Sequence, residues 1–165
     1  MANLEPLIQS IPVAPLKLAS LEGCRTLADQ VNNYLVSFRH ESPTNVGQAD
    51  SLQGYCADSY LLECECPRFG SGEGKGVLKE SVRGCDLFIM VDVANYSLTY
   101  RVNGYENHMS PDNHYQDLKR IISAADGKAR RINVIMPFLY ESRQHKRTGR
   151  ESLDCALALN ELVRM

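Results

Sequence analysis

Residues 86–93 read DLFIMVDV, an almost unbroken apolar run. Such a run is typical of a strand that is covered on both faces in a parallel sheet. Further along, residues 110–112 (Ser-Pro-Asp) form a strong helix start, with a capping serine, a proline at the first position and an acid in the first turn. The apolar positions that follow at helical spacing are Tyr115, Leu118, Ile121, Ile122 and Ala125. The sequence predicts a strand at 86–93 and a helix over 110–126 that Gly127 ends.

A second apolar segment, residues 131–136 (RINVIM), comes directly after that helix. Strand, helix and strand in this order form a βαβ unit, which is expected to be right-handed with parallel strands. Thr148 and Glu151 have the spacing of a capping box and predict the start of a last helix, with Leu153, Leu157 and Leu162 along it. We therefore expect a three-layer αβα fold with a mostly parallel sheet.

Upstream of residue 86 the pattern is weaker. A short strand is predicted at 16–19 and a helix over 24–38, with Thr26 as its N-cap. Its apolar face is Leu27, Val31, Tyr34, Leu35 and Phe38. Residues 40–59 are polar and turn-rich, as in an exposed loop, and the alternation over 60–66 predicts a half-buried strand. Residues 95–109 are predicted to be a long loop.

Composition limits the class of protein. The 165 residues carry a formal net charge of −2, so no global excess of positive charge argues for a nucleic-acid partner. No apolar run approaches the roughly 20 residues that span a bilayer, and the first residues lack the pattern of a secretory signal. Six cysteines occur without a C-x-x-C pair. We interpret them as reduced thiols of a cytoplasmic protein with no membrane partner.

The region after the second strand, residues 137–151, is strongly cationic, and we call it the basic loop. Its cations are Arg143, Lys146, Arg147 and Arg150, set around Gln144 and His145. In an open α/β sheet, ligands bind outside the carboxyl ends of the strands. Four cations at such a place suggest a polyanionic ligand, most simply the phosphate chain of a nucleotide. A solvated basic surface is the alternative.

Two motifs upstream are ambiguous on their own. The glycine-dense stretch 70–76 is not a Walker A loop, because Phe69 stands where a glycine is needed and Gly76 follows the lysine. It predicts a turn or hairpin near residues 60–80 with an exposed aromatic ring and a glutamate. Ser81 and Arg83 either bind an anion together or belong to a tight turn that feeds the strand at 86–93.

Four stretches in order carry a family resemblance. Residues 68–73 (RFGSGE) are similar to a hairpin R-F-S-D-G-E, and 80–84 (ESVRG) match E-S-V-R-G. Residues 117–132 resemble a helix that ends in A-S-A-x-R-I, and 135–151 resemble V-I-P…Y-A-R-Q-D-(R/K)-K…R-E-P-I. These motifs are those of the N-terminal domain of the ribose-phosphate pyrophosphokinase family, which has a phosphoribosyltransferase-like fold. The resemblance runs from about Leu16 to the end, with insertions near 39–59 and 96–108.

The resemblance implies a transferase that moves diphosphate from ATP to ribose 5-phosphate in the presence of Mg²⁺, making phosphoribosyl pyrophosphate for nucleotide biosynthesis. It implies that ATP is contacted by Arg143 and Gln144. Other residues would lie beside the adenine, reaching over from a neighbouring subunit of a homo-oligomer: Phe69, Ser71, Gly72 and Glu73. Ser81 and Arg83 match residues that bind regulatory phosphate or ADP in some family members.

The resemblance also places several family features beyond Met165: the Mg²⁺-binding histidine, the ribose 5-phosphate loop and the flexible catalytic loop. We therefore expect residues 1–165 to be one ATP-side domain of a longer protein, with no catalytic or metal-binding residue of its own and no activity alone. Ser71 stands where the family usually has Asp or Asn, and His145 replaces the Asp that follows Arg-Gln in the family. These departures leave open a non-catalytic regulatory homologue or a generic nucleotide-binding domain.

Overall fold

The computed structural model describes residues 12–41 and 54–165. The strands are β1 (Leu16–Ser20), β2 (Leu61–Leu62), β3 (Cys64–Glu65), β4 (Val77–Leu78), β5 (Asp86–Met90), β6 (Thr99–Val102), β7 (Tyr105–His108) and β8 (Arg131–Ile135). The α-helices are α1 (Arg25–Glu41), α2 (Pro111–Ala125) and α3 (Asp154–Arg164). No helix of the described ranges is both long and apolar enough to cross a bilayer.

The main sheet has four strands in the order β2-β1-β5-β8, and every neighbouring pair is parallel. In this register Leu18 of β1 lies beside Phe88 of β5, which lies beside Asn133 of β8. The βαβ unit predicted from the sequence is therefore present as β5-α2-β8. The sheet is parallel, as the apolar run at 86–93 indicated, although the strand itself ends at Met90.

Helices cover both faces of this sheet, which confirms the three-layer prediction. Leu87 and Ile89 of β5 pack in one buried cluster with residues of α2 and α3, including Leu118 and Ala158. Met90 and the partly buried Phe88 face the other way, toward α1. This alternation along one strand is the period of two that places successive side chains on opposite faces.

The start of α2 follows the predicted chemistry. The Ser110 hydroxyl accepts a hydrogen bond from the backbone N–H of Asn113 at 3.2 Å, and proline occupies the first turn. The five apolar residues predicted for its inner face are all buried. The helix ends at a left-handed Asp126 (φ 50°), one residue before Gly127, which is also left-handed (φ 62°).

The caps predicted for the two other helices are not the residues at which those helices begin. A 3₁₀ turn at Glu22–Cys24 runs straight into α1, so Thr26 lies inside the helix and its assignment as N-cap was wrong. The last helix begins at Asp154, so the assignment of Thr148 and Glu151 as its capping box was also wrong. The Thr148 hydroxyl donates to the Glu151 carboxylate at 2.8 Å within the loop that precedes the helix.

Two segments differ from the prediction in their pairing. Residues 60–66, predicted as one strand, divide into β2 of the main sheet and β3, which pairs antiparallel with β4. This pair is the small hairpin expected near residues 60–80. Residues 95–109, predicted as a loop, contain the antiparallel hairpin β6–β7. Of the predicted loop at 40–59, residues 42–53 lie outside the described residues.

Candidate nucleotide site

The basic loop (residues 137–151) leaves the sheet at the carboxyl end of β8, where the sequence placed a ligand. Arg143 is exposed, like the three other cations of the loop, Lys146, Arg147 and Arg150. Within the described residues none of the four forms an ion pair. Their charges are therefore available to an anion that approaches this edge of the sheet.

A pair of stacked rings anchors the start of the basic loop. Tyr140 lies on Tyr115 of α2, with ring centroids 4.3 Å apart and planes 7° from parallel. The Tyr140 hydroxyl donates to Oδ1 of Asp112 at 2.7 Å, and the Tyr115 hydroxyl donates to the carbonyl oxygen of Ala158 at 2.8 Å. Burial, and then the bond to Asp112, raises the pKa of Tyr140 above its usual value, so the hydroxyl keeps its proton.

The end of the loop is tied to the start of α3 through Gln144. Its backbone N–H donates to the carbonyl of Glu141 at 2.9 Å, and its carbonyl accepts from the N–H of Cys155 at 3.3 Å. Its side-chain amide donates to the carbonyl of Ser152 at 2.8 Å. Glu141 has a left-handed backbone (φ 55°), a strained conformation for a residue with a side chain. Arg143 thus lies on an anchored backbone, while its guanidinium forms no ion pair with any residue that the structure describes.

The turn of the β3–β4 hairpin carries the other predicted ATP residues, and we call it the 69–73 turn. The backbone N–H of Phe69 donates to the carbonyl of Glu73 at 2.7 Å, and Gly72, with φ 91°, donates back to the carbonyl of Phe69 at 2.9 Å. The Phe69 side chain is 53% exposed, as predicted for this aromatic ring. The Ser71 hydroxyl donates to Oε2 of Glu73 at 2.7 Å, so these two side chains act as one polar group.

The base of this hairpin is held by an ion-pair cluster that the sequence analysis missed. Both carboxylate oxygens of Asp117 on α2 accept from Arg68, at 2.9 and 2.8 Å, and Arg120 donates to the same group at 2.6 Å. The Arg68 and Asp117 side chains are only 9% and 6% exposed. The two residues are 49 positions apart, so no local pattern could have paired them. The cluster fixes the 69–73 turn relative to α2.

The predicted site residues form two separate groups in one chain. Phe69, Ser71, Gly72 and Glu73 share the 69–73 turn, and Arg143 and Gln144 share the basic loop. Among the described residues, no hydrogen bond, ion pair or ring contact links the turn to the loop. Ser81 and Arg83 are exposed and stand apart from both groups. They precede β5, so they lie at the amino edge of the sheet, opposite the basic loop.

Neither loop resembles a metal site. Within residues 12–41 and 54–165, no group of three or more His, Cys, Asp or Glu side chains is placed to hold a metal ion. Cys64 and Cys66 are mostly buried, and burial raises the pKa of the Cys64 thiol to about 11 and that of Cys66 to about 12. Both therefore stay protonated at neutral pH.

Comparison with known proteins gives a consistent result. The family model for the N-terminal domain of ribose phosphate pyrophosphokinase matches residues 16–165. The ribose-phosphate pyrophosphokinase of Corynebacterium ammoniagenes is 30% identical over 149 residues, which cover 89% of this chain and 36% of that enzyme. The enzyme of the same name from Bacillus cereus gives the same figures. The chain thus spans little more than a third of the length of these relatives.

A solved structure shows the same fold. The crystal structure of phosphoribosylpyrophosphate synthetase from Mycobacterium smegmatis superposes with a TM-score of 0.60 at 24% sequence identity. The match covers 91% of this chain and 39% of that one. This likeness in fold agrees with the family match of the sequence.

Proposed function

This chain belongs to the ribose-phosphate pyrophosphokinase family, as an N-terminal domain, and from this premise we propose that it forms the ATP side of a ribose-phosphate diphosphokinase. The longer protein would transfer diphosphate from ATP to ribose 5-phosphate and make phosphoribosyl pyrophosphate for nucleotide biosynthesis. The observation that carries the proposal is the exposed guanidinium of Arg143, which forms no ion pair among the described residues and lies on an anchored loop at the carboxyl edge of the sheet.

The chemistry assigns Arg143 an electrostatic role. The anomeric hydroxyl oxygen of the sugar forms a bond to the β-phosphorus of ATP, and the bond from that phosphorus to the α–β bridging oxygen breaks. AMP leaves with that oxygen, and the hydroxyl gives up its proton. Negative charge grows on the phosphate oxygens during this transfer. A guanidinium with no internal partner can pair with two such oxygens and stabilise them. Gln144 would contact the nucleotide beside it.

We further propose that the 69–73 turn serves the nucleotide of a neighbouring subunit, with Phe69 stacked on the purine and Ser71, Gly72 and Glu73 beside it. Two features support this arrangement. Among the described residues, no hydrogen bond, ion pair or ring contact links the turn to the basic loop, and Phe69 is 53% exposed. A site completed by a second copy requires self-association, so the intact protein would be a homo-oligomer.

Magnesium would enter with ATP rather than through residues of this chain. The basic loop exposes four cations, Arg143, Lys146, Arg147 and Arg150, and these side chains do not bind a metal. We propose that the protein ligands of Mg²⁺, together with the catalytic residues, lie beyond Met165. Residues 1–165 would then be a single domain that is inactive alone, and the whole protein would act in the cytoplasm, where its substrates occur.

Ser81 and Arg83 are proposed as a regulatory phosphate site. Both side chains are exposed, and Arg83 forms no ion pair among the described residues. Their position at the amino edge of the sheet separates this proposed phosphate site from the basic loop, which lies at the carboxyl edge. Phosphate or ADP bound there would alter activity without competing directly at Arg143. An Arg83→Ala variant that keeps basal activity but loses the response to phosphate would support this role, whereas an unchanged response would exclude it.

The test of the proposed function is AMP release from Mg-ATP, with and without ribose 5-phosphate, by the longest natural chain that contains this segment. Release that depends on the sugar phosphate establishes diphosphoryl transfer. Arg143→Ala should then lower kcat/KM by roughly 10²-fold or more, while Arg147→Ala, which removes another exposed cation of the same loop, should change it little. Equal small effects would show that the loop is a solvated basic surface. ATP binding without AMP release would favour the regulatory homologue.

A further inference from the structure

The β6–β7 hairpin (Thr99–His108) has no role in the function proposed above. It falls in the segment where the family resemblance is interrupted. Its two central turn residues, Asn103 and Gly104, both have positive φ (50° and 84°), as in the tight two-residue turns that join antiparallel strands. The hairpin projects Tyr105, whose side chain is 76% exposed. A tyrosine ring this exposed offers a large apolar surface to a ligand.

This hairpin is attached to the 69–73 turn. The guanidinium carbon of Arg68 lies 5.2 Å from the ring centroid of Tyr100, so the buried Arg68–Asp117 pair also supports β6. At Gly72, a Cβ atom would lie 3.1 Å from Cγ2 of Val102, which shows how closely the two hairpins approach. The turn predicted to reach the adenine and the β6–β7 hairpin therefore hold a defined position relative to each other.

An open groove of about 700 Å³ lies between them. One side is formed by Ser71, Gly72 and Glu73, and the other includes Tyr100, Tyr105 and Asn107. The volume falls within the range of small-molecule sites. An exposed aromatic ring, a side-chain amide and a hydroxyl–carboxylate pair together suit a flat heteroaromatic ring with polar edges.

The charges in the groove argue against a phosphate ligand there. Among the described residues that line it, Arg120 is the only cation, and it already forms an ion pair with Asp117. Glu73 adds a negative charge that would repel phosphate. A neutral base meets no such penalty, since its ring can stack on a tyrosine and its edge can exchange hydrogen bonds with an amide.

We propose that the β6–β7 hairpin forms the second wall of the purine site, with Tyr105 stacked on the base and Asn107 hydrogen-bonded to its polar edge. This inference rests on the proposed function, because it concerns the nucleotide that the 69–73 turn would bind. It makes the hairpin a determinant of which purine the protein accepts, in addition to Ser71 and Glu73 on the opposite side of the groove.

The experiment measures KM for ATP and for ribose 5-phosphate in Tyr105→Ala, Tyr105→Phe and Asn107→Ala of the full-length protein. Loss of a base-stacking ring should raise the KM for ATP roughly tenfold in Tyr105→Ala, with the KM for ribose 5-phosphate unchanged. Tyr105→Phe retains the ring and should stay near wild type. Asn107→Ala should shift the ratio of kcat/KM for ATP and GTP. Tyr34→Ala is the matched control, because Tyr34 is 65% exposed on α1, which packs on the other face of the sheet.

The outcomes separate the two proposals. Sugar-dependent AMP release with an unchanged KM for ATP in Tyr105→Ala would overturn the second wall and leave the proposed function standing. If the wild-type protein releases no AMP, the same variants are compared by their Kd for ATP in calorimetry. Weaker binding in Tyr105→Ala but not in Tyr34→Ala then supports the base site, and equal binding overturns it. Because Tyr105 is so exposed, its truncation is not expected to unfold the protein, and circular dichroism checks this.

Discussion

Replacing Asp117 with alanine should loosen the β3–β4 hairpin more than any exposed substitution. The variant removes the carboxylate that accepts from Arg68 at 2.9 and 2.8 Å and from Arg120 at 2.6 Å. Arg68 would keep its charge at 9% exposure without a partner. Breaking a buried pair in this way costs about 3–5 kcal/mol. We expect the lower end, about 3 kcal/mol, because Arg120 is 20% exposed and can turn toward water.

Hydrogen exchange, measured by mass spectrometry on the full-length protein, reports how much stability the β3–β4 hairpin loses in Asp117→Ala. The informative amides are those of Phe69 and Lys75, which donate within the hairpin to the carbonyls of Glu73 and Pro67. A loss of about 3 kcal/mol corresponds to roughly 10²-fold faster exchange at these amides.

The matched control for this measurement lies on the same hairpin. Glu65→Gln removes the ion pair between Glu65 and Lys79. This pair is exposed, because the Glu65 side chain is 43% exposed and the Lys79 side chain 40%. Exposed pairs are worth about 0.2–1 kcal/mol, so exchange should rise by roughly fivefold at most. If Asp117→Ala accelerates exchange no more than Glu65→Gln does, the Arg68–Asp117 pair does not hold the hairpin and our reasoning is wrong.

Three further results are expected. Tyr140→Phe keeps the ring stack and should raise the KM for ATP less than Tyr140→Ala, which frees the start of the basic loop; equal KM values would show that the stack does not position Arg143. Gly76→Ala would place a Cβ 2.4 Å from the backbone oxygen of Arg120 and should cost roughly 1–3 kcal/mol or more in urea unfolding, whereas Gly70→Ala, with open space around it, should be nearly neutral. Iodoacetamide at pH 8 should label the exposed Cys56 and spare Cys66. Burial raises the pKa of Cys66 to about 12, so its reactive thiolate forms only as the pH approaches that value. Equal labelling of the two cysteines, measured by mass spectrometry, would contradict this.

The elements that the sequence predicted well depend on local signals. The helix α2 has its cap, its proline and its apolar period within one segment of chain, and each of these signals acts over a few residues. The strand β5 is apolar on both faces because helices cover both faces of the sheet. The 69–73 turn, with its exposed aromatic ring, was also predictable from a local signal. Its closely spaced glycines favour a turn over a helix or strand.

The elements that the sequence analysis missed lack such a signal or have an ambiguous one. In β7 all four residues are exposed, and the alternation in β6 extends over only four residues, so the pair has a weak strand signal. Asn103-Gly104 was a usable sign, since this dipeptide favours the turn found there, and it was overlooked. Thr148 and Glu151 have capping-box spacing, yet their side chains bond to each other in the loop. The spacing alone could not distinguish these arrangements.

The sequence by itself determined the strand–helix–strand order of β5, α2 and β8, the basic loop at a strand end and the family motifs, because these reside in neighbouring residues. Only the tertiary structure decided which side chains support them. The Arg68–Asp117 pair joins residues 49 positions apart, and the contact of Tyr140 with Asp112 spans 28. Such contacts depend on how helices pack on the sheet, and no local period or motif specifies the partner. The anchored backbone of Arg143 and the groove beside Tyr105 both result from this long-range packing.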